Sequence, residues 1–250
     1  MSEYTAIFDA RGGHYNLANQ RYPLARAEEA RAVLEHLELP PAGRAPWLDL
    51  AAGGGYLAER ARAEGFGSPA FACDASLPFL RESTGYRGRA ISQYERLPFG
   101  ERTFSAAGCL AALHHAEDPA AVAAEMLRVI TPGGRAAIGD VAPGSAPAAF
   151  LNGFVDRHTD TGHHGRFVPA EHLGAAFASA GGRRVRIEDR EVAWHFPSRE
   201  AAVDFSRELF GVRPGTTDEQ IAEGLALVGL AGDAPDVRLP WRMVFVSAER

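Results

Sequence analysis

Three consecutive glycines, Gly53, Gly54 and Gly55, follow the apolar run Trp47-Leu-Asp-Leu50 and lead straight into a helical pattern beginning at Tyr56-Leu57. Glycines in such a turn let the backbone approach a ligand with no Cβ in the way. A second short run, Phe71-Ala-Cys-Asp74, ends on an acid. If the two runs are parallel strands of a doubly wound sheet, their carboxyl ends bring the glycine turn and Asp74 together. The carboxylate can then accept from both hydroxyls of a ribose. The turn is not built for phosphate. It lacks the Lys-Ser/Thr of a nucleotide-triphosphate loop, and Leu57 and Ala58 break a Gly-x-Gly-x-x-Gly spacing. A nucleoside without a pyrophosphate suits this pattern better than NAD. Asp49 can serve an ammonium on the same ligand, directly or through water.

Proton-transfer chemistry has its own candidates. His114 and His115 follow the fourth apolar run, and Asp140 ends the fifth. The stretch Asp156-Arg-His-Thr-Asp-Thr-Gly-His-His-Gly-Arg-Phe167 holds three of the nine histidines, His158, His163 and His164. Its spacing matches no zinc pattern, so no metal site is expected. A lid facing a substrate is the better reading, with Arg157 and Arg166 suited to a carboxylate or phosphate. Trp194 and Trp241 are candidates for an aromatic wall against a planar substrate, with core packing as the plainer alternative.

Positioning these groups requires alternating elements. Short apolar runs at 45–50, 70–73, 89–91, 103–110 and 134–140 alternate with helical patterns at 57–64, 76–82 and 120–130, which predicts a doubly wound α/β sheet. A first helix is expected over Leu24–Leu39, stopped by Pro40-Pro41-Ala-Gly43. Later helices are expected at 169–180, 198–210 and 217–228, and strands near 184–190 and 242–248. The reading is a single domain. Its core spans 40–140 and 181–250, its N-terminal helical segment 1–39, and its cap or lid insertions about 141–180 and 195–238.

On these residues the chain resembles the class I S-adenosylmethionine-dependent methyltransferases, in the small-molecule branch that includes the ubiquinone and menaquinone methyltransferases. Asp49-Leu-Ala-Ala-Gly-Gly-Gly55 resembles the family's first motif and Cys73-Asp-Ala-Ser76 its acidic second motif. Glu95-Arg-Leu-Pro-Phe99, Leu113-His-His-Ala-Glu-Asp118 and Glu125-Met-Leu-Arg-Val-Ile-Thr-Pro-Gly-Gly134 resemble the rest of the core pattern. The resemblance covers roughly residues 45 to 140. It implies a Rossmann-like, mostly parallel seven-stranded sheet with an antiparallel last strand and a small helical cap. It implies S-adenosylmethionine as cofactor and S-adenosylhomocysteine as product, held by Tyr15, Asp49, Ala51, Gly53, Gly55, Asp74, Ala75, Gln93, Tyr94 and Leu110. Three positions depart from the pattern. Ala51 stands where the family has its first glycine, which is tolerable if no positive φ is needed. Gln93 replaces the usual aspartate toward adenine, and Ser105 replaces an acid.

The expected activity is methyl transfer to a C, O or N nucleophile of a small molecule, with His114, His115 and Asp140 as catalytic candidates. His158, His163, His164, Arg166, Trp194 and Trp241 are the substrate candidates. Two other readings stay open: a different reaction on the same cofactor, cyclisation or elimination, and a vestigial regulatory subunit. A net charge of −6 with no basic module argues against nucleic acid. No apolar run reaches the ~20 residues of a membrane span. Cys73 and Cys109 read as core residues of a reducing compartment, so a cytoplasmic protein with no membrane partner is expected. The sequence leaves the oligomeric state open.

Overall fold

The computed structural model describes residues 3–39, 43 and 45–250. The predicted stop at Pro40, Pro41 and Ala42 lies outside the described residues. Strand β1 (Trp47–Leu50), buried along its whole length, sits at the centre of the sheet. It pairs in parallel with β2 (Ala70–Asp74) and β4 (Phe104–Leu110). With β3 (Gly88–Ile91), β5 (Ile130–Val141), β6 (Arg183–Phe196) and β8 (Asp236–Glu249), the order is β3-β2-β1-β4-β5-β8-β6. A short β7 (Ala231–Asp233) pairs with β8 alone. β8 runs antiparallel to both β5 and β6. The sheet is therefore mostly parallel with antiparallel strands at its C-terminal side.

The strand order reverses between β1 and β4. A crevice opens at that switch point, at the carboxyl ends of the strands. Asp49 and Ala51 from β1, Asp74 from β2, Leu110 and Ala111 from β4 and Asp140 from β5 thereby gather at one edge. The intervening helices start where local chemistry dictates. Ser76 caps α4 (Leu77–Arg81), and Asp118 caps α5 (Pro119–Val129) with Pro119 as first helical residue. Among the described residues, no helix is long and apolar enough to cross a membrane.

The N-terminal segment differs from expectation. A 19-residue helix α1 (Glu3–Arg21) precedes a turn, and α2 (Ala27–Leu37) starts later than the predicted Leu24. Leu24 itself is exposed in the turn. The buried face of α1 carries Tyr4, Ile7, Phe8 and Ala18 but is interrupted by buried Arg11, Asn16 and Asn19, and Gly12 and Gly13 lie in its interior, so periodicity is masked and propensity is poor. Gly12 is there for approach: a Cβ added to it would lie 2.9 Å from the Phe79 ring of α4. Two connections form the cap: the segment after β5, with α6 (Ala146–Phe150) and a π-turn over Leu151–Val155, and the segment between β6 and β8, with α9 (Arg199–Phe210) and α10 (Asp218–Val228).

Candidate active site

The crevice divides into two pockets with a common wall. The first, about 660 Å³ of empty space with its open mouth, is lined by Asp49, Ala51 and Gly53 from the glycine turn and by Leu110 and Ala111 from β4. Tyr4, Phe8, Tyr15 and Asn16 of α1 close it from above. Asp74 lies beneath, fully buried. Its Oδ1 accepts from the Ser76 N–H at 2.8 Å, and its Oδ2 accepts from the Gly53 N–H and the Tyr4 hydroxyl, each at 2.9 Å. Burial pushes this carboxyl up to about 6 against the pull of those donors. Burial likewise pushes Asp49 up to about 7, although the Tyr86 hydroxyl donates to it at 2.6 Å.

Ala51 does not meet the condition the sequence set for it. Its φ is +58°, the left-handed region that favours glycine, and Ala111 across the turn has φ +53°. Both strained residues end central strands and both line the first pocket, as such residues do at functional sites.

The second pocket, about 470 Å³ with its mouth, is lined by His114, His115, His163, Trp194, Trp241, Leu209, Phe210 and Arg11. Phe8, Tyr15, Arg26 and Ala111 line both pockets and form the wall between them. The Asp140 carboxylate accepts from His114 twice, from its backbone N–H at 2.8 Å and from Nδ1 at 2.7 Å. A carboxylate can only accept, so Nδ1 carries a proton, and in the neutral ring the lone pair lies on Nε2. The Asn152 side-chain oxygen pairs with His163 Nδ1 at 2.9 Å. His115 has a buried Nδ1 without a hydrogen-bond partner. Burial, reinforced by His114, pushes His163 down to about 2 and His115 well below the imidazole range, so both rings are neutral. Trp194 and Trp241 stack at 4.1 Å, and the Trp194 indole N–H donates to the buried Glu29 carboxylate at 3.1 Å.

One nitrogen each of His114, His115 and His163 falls within 4.8 Å of the other two. That donor set suits a transition metal. The positive charge of Arg11, close enough to depress both His115 and His163, works against a dication here.

The structure thus brings Tyr15, Asp49, Ala51, Gly53 and Leu110 to the first pocket, while Asp74 lies buried behind its lining residues Tyr4 and Gly53, with Ala75 buried beside it. Gly55 faces the Tyr86 ring instead, and Tyr94 packs under Tyr4, ring centroids 5.1 Å apart. Gln93 is exposed on the loop after β3, away from either pocket. At the second pocket His114, His115, Asp140, His163, Trp194 and Trp241 come together. His158 does not join them: it stacks on Phe154 and meets Thr216 Oγ1 at 3.2 Å. His164 is 71% exposed beside Asp156. Arg166 donates to the backbone carbonyls of Ala116 and Glu117, stapling the lid to the loop after β4. Sequence reasoning missed Phe8, Arg11, Asn16 and Arg26, all contributed by α1 or by the turn after it. It also missed Leu209 and Phe210 of α9. On α1 the apolar stripe begun by Tyr4, Ile7 and Phe8 is broken by buried Arg11, Asn16 and Asn19, which masks its periodic signal.

A parallel sheet with a glycine turn after β1, an acid after β2 and a crevice at the switch point defines a nucleoside-binding α/β enzyme. A family profile described as a methyltransferase domain matches residues 48–138. The ubiquinone/menaquinone biosynthesis C-methyltransferase UbiE of Desulfotalea psychrophila is 30% identical over 195 residues, covering 74% of this chain and 76% of that protein. The chain belongs to the class I S-adenosylmethionine-dependent methyltransferases. Among solved structures, the [4+2]-cyclase SpnF is 19% identical with a TM-score of 0.66, over 100% of this chain and 97% of that one. A phosphoethanolamine N-methyltransferase 2 of Haemonchus contortus, solved with S-adenosyl-L-methionine, is 15% identical with a TM-score of 0.67, over 100% of this chain and 60% of that one. These two share the fold.

Proposed function

We propose that the first pocket binds S-adenosylmethionine, that the second binds a planar small molecule, and that the methyl group passes directly from the sulfonium to the acceptor where the two pockets meet, beside Phe8, Tyr15, Arg26 and Ala111. The observation that carries this reading is the shared wall. It joins a nucleoside-type pocket to one lined by aromatic rings and a His114–Asp140 pair. The residues present fit the cofactor. The Tyr4 hydroxyl on Asp74 Oδ2 is a stand-in that marks this carboxylate as a hydroxyl acceptor, the role a ribose requires. Asp74 would hold the ribose and Asp49 the ammonium.

The cofactor supplies a methyl group on a sulfonium, already activated for displacement. The protein's own work is then to align the acceptor, exclude water and take up any proton the acceptor must lose. His114 Nε2 is the acceptor of that proton, with Asp140 fixing the tautomer and stabilising the imidazolium that forms. Neutral His115 and His163 leave His114 as the base of the cluster. A proton-bearing carbon or oxygen nucleophile, a phenol or enol, matches this arrangement better than a free amine. The C-methyltransferase relative agrees with that choice. The two buried, unpaired cysteines suit a cytoplasmic setting.

Isothermal titration with S-adenosylmethionine, S-adenosylhomocysteine and NAD, on the native protein and on Asp74→Ala, tests the cofactor. Micromolar binding of the two sulfur ligands alone, lost in the variant, is expected. Folded protein that binds neither would sink the reading. Incubation with labelled cofactor and a panel of phenols, enols and amines then tests the acceptor class.

A further inference from the structure

Arg11 is 7% exposed and has no acid to answer it. Among the described residues no carboxylate oxygen lies within 4.0 Å of its guanidinium, whereas the equally buried Arg26 is paired with Glu29. Its one hydrogen bond runs from Nη1 to the Phe210 carbonyl at 2.8 Å, at the C-terminal end of α9. Nε is buried and unpartnered. Burial alone pushes the group down to about 10, still charged at neutral pH. The carbonyl end of a helix offers at most about half a unit of negative charge, and the Phe8 ring, 5.3 Å from Cζ, adds a cation–π contact, so the cation has partial partners but no full negative charge against it. Buried charges are ordinarily paired.

We infer that Arg11 is an anion receptor in the acceptor pocket, and that the acceptor is an aromatic molecule bearing a carboxylate. This rests on the reading of the second pocket as the acceptor site. The free side of the guanidinium, Nε with Nη2, has the fork geometry that receives a carboxylate through two parallel hydrogen bonds. One guanidinium balances one negative charge, which favours a monoanionic carboxylate over a phosphate dianion. The surroundings set the rest of the ligand. Stacked Trp194 and Trp241, with Phe210 and Leu209, offer flat apolar surface, and His114 supplies the base. Gly211 permits the arrangement: at φ +63° it lets α9 end against Arg11, and a Cβ there would lie 3.1 Å from the Arg11 Cβ.

The test is titration of 4-hydroxybenzoate, 4-hydroxybenzamide and phenol, each with and without S-adenosylhomocysteine, into native protein, Arg11→Gln and Arg11→Lys. The native protein is expected to prefer the benzoate over the benzamide by at least roughly tenfold, as one charge-assisted pair gives. Arg11→Gln should collapse that ratio to about one while phenol binding stays, and Arg11→Lys should keep part of it. A ratio near one in native protein, or a preference that survives Arg11→Gln, overturns the inference. So does tight zinc uptake that is lost in His163→Ala and accompanied by no carboxylate preference. Failure of the cofactor reading appears separately, as absence of heat from S-adenosylhomocysteine alone.

Discussion

The Tyr4 hydroxyl rests 2.9 Å from Asp74 Oδ2, on the carboxylate that a ribose needs. On the proposed binding mode, cofactor and this hydrogen bond compete for one oxygen. Removing the hydroxyl in Tyr4→Phe takes away a bond with a net worth of about 1 kcal/mol, or more where the acceptor is charged. The variant is expected to bind S-adenosylmethionine roughly five- to tenfold more tightly by titration calorimetry. Unchanged or weaker binding would show that the hydroxyl stays in place when cofactor enters.

The burial of Asp49 sets a pH dependence whose sign follows from its position. Its folded value, about 7, lies above the unfolded value near 3.9. Stability tied to this group is therefore complete below about pH 4 and is lost as pH rises through 7. Asp74, at about 6, acts in the same direction. Carboxylates held low by partners, such as Glu188 at about 2 beside Arg190, lose their contribution only in more acid solution. Buried neutral His115 and His163 act in the opposite sense below about pH 6.5, so a falling Tm that belongs to Asp49 is expected only from about pH 6.5 to pH 8. Asp49→Asn should flatten that slope, the difference being at most about 4 kcal/mol for a shift of about three units. A slope that the variant leaves intact would assign it to other groups.

Asp140→Asn replaces an acceptor by a group that can donate, which allows the other His114 tautomer and leaves Nε2 without its lone pair. With a proton-bearing acceptor, kcat should fall by roughly 10²–10⁴-fold in this variant and in His114→Gln. Cofactor affinity should hardly move. Steady-state kinetics with phenol-type acceptors and with one already deprotonated at the assay pH separates base catalysis from positioning, since only the former is spared by the second acceptor.

Ala51 is held at φ +58°, where a side chain costs about 1 kcal/mol or more. Ala51→Gly releases that strain against a smaller loss of unfolded-chain restriction. The net expectation is a gain of roughly 0.5 kcal/mol in urea unfolding. A clear loss of stability would mean that the Ala51 methyl packs usefully against its neighbours.

The sheet and the glycine turn were legible because their signals are local. Buried runs such as Trp47–Leu50 alternate with capped helices, and Asp118 and Pro119 mark a helix start within two residues. That Asp74, His114 and Asp140 gather at one edge was legible because parallel strands must end there, whereas the pairing of His114 with Asp140 appears only in the structure. The cap was not, since its contacts depend on where chains return in space. His158 and His164 share a stretch with His163, yet only His163 reaches the pocket, because Asn152 and the Asp156 carboxylate draw the loop inward at that residue. Arg166 reads as a substrate ligand in sequence and serves two backbone carbonyls in space. Arg11 gave no signal at all: nothing in a linear chain says that a cation will be buried without an acid.

Gly12 brings α1 against Phe79, and the same residue weakens α1 on its own. Two adjacent interior glycines each cost about 0.5–1 kcal/mol relative to alanine, and buried Arg11, Asn16 and Asn19 interrupt the apolar face that docks the helix. Lifted from the crevice, this segment melts instead of swinging aside as a rod. Release of this segment would therefore be an order-to-disorder event, favoured by the entropy of a freed chain and steep in temperature. By hydrogen exchange, the α1 amides are expected to open at temperatures well below that at which the sheet comes apart.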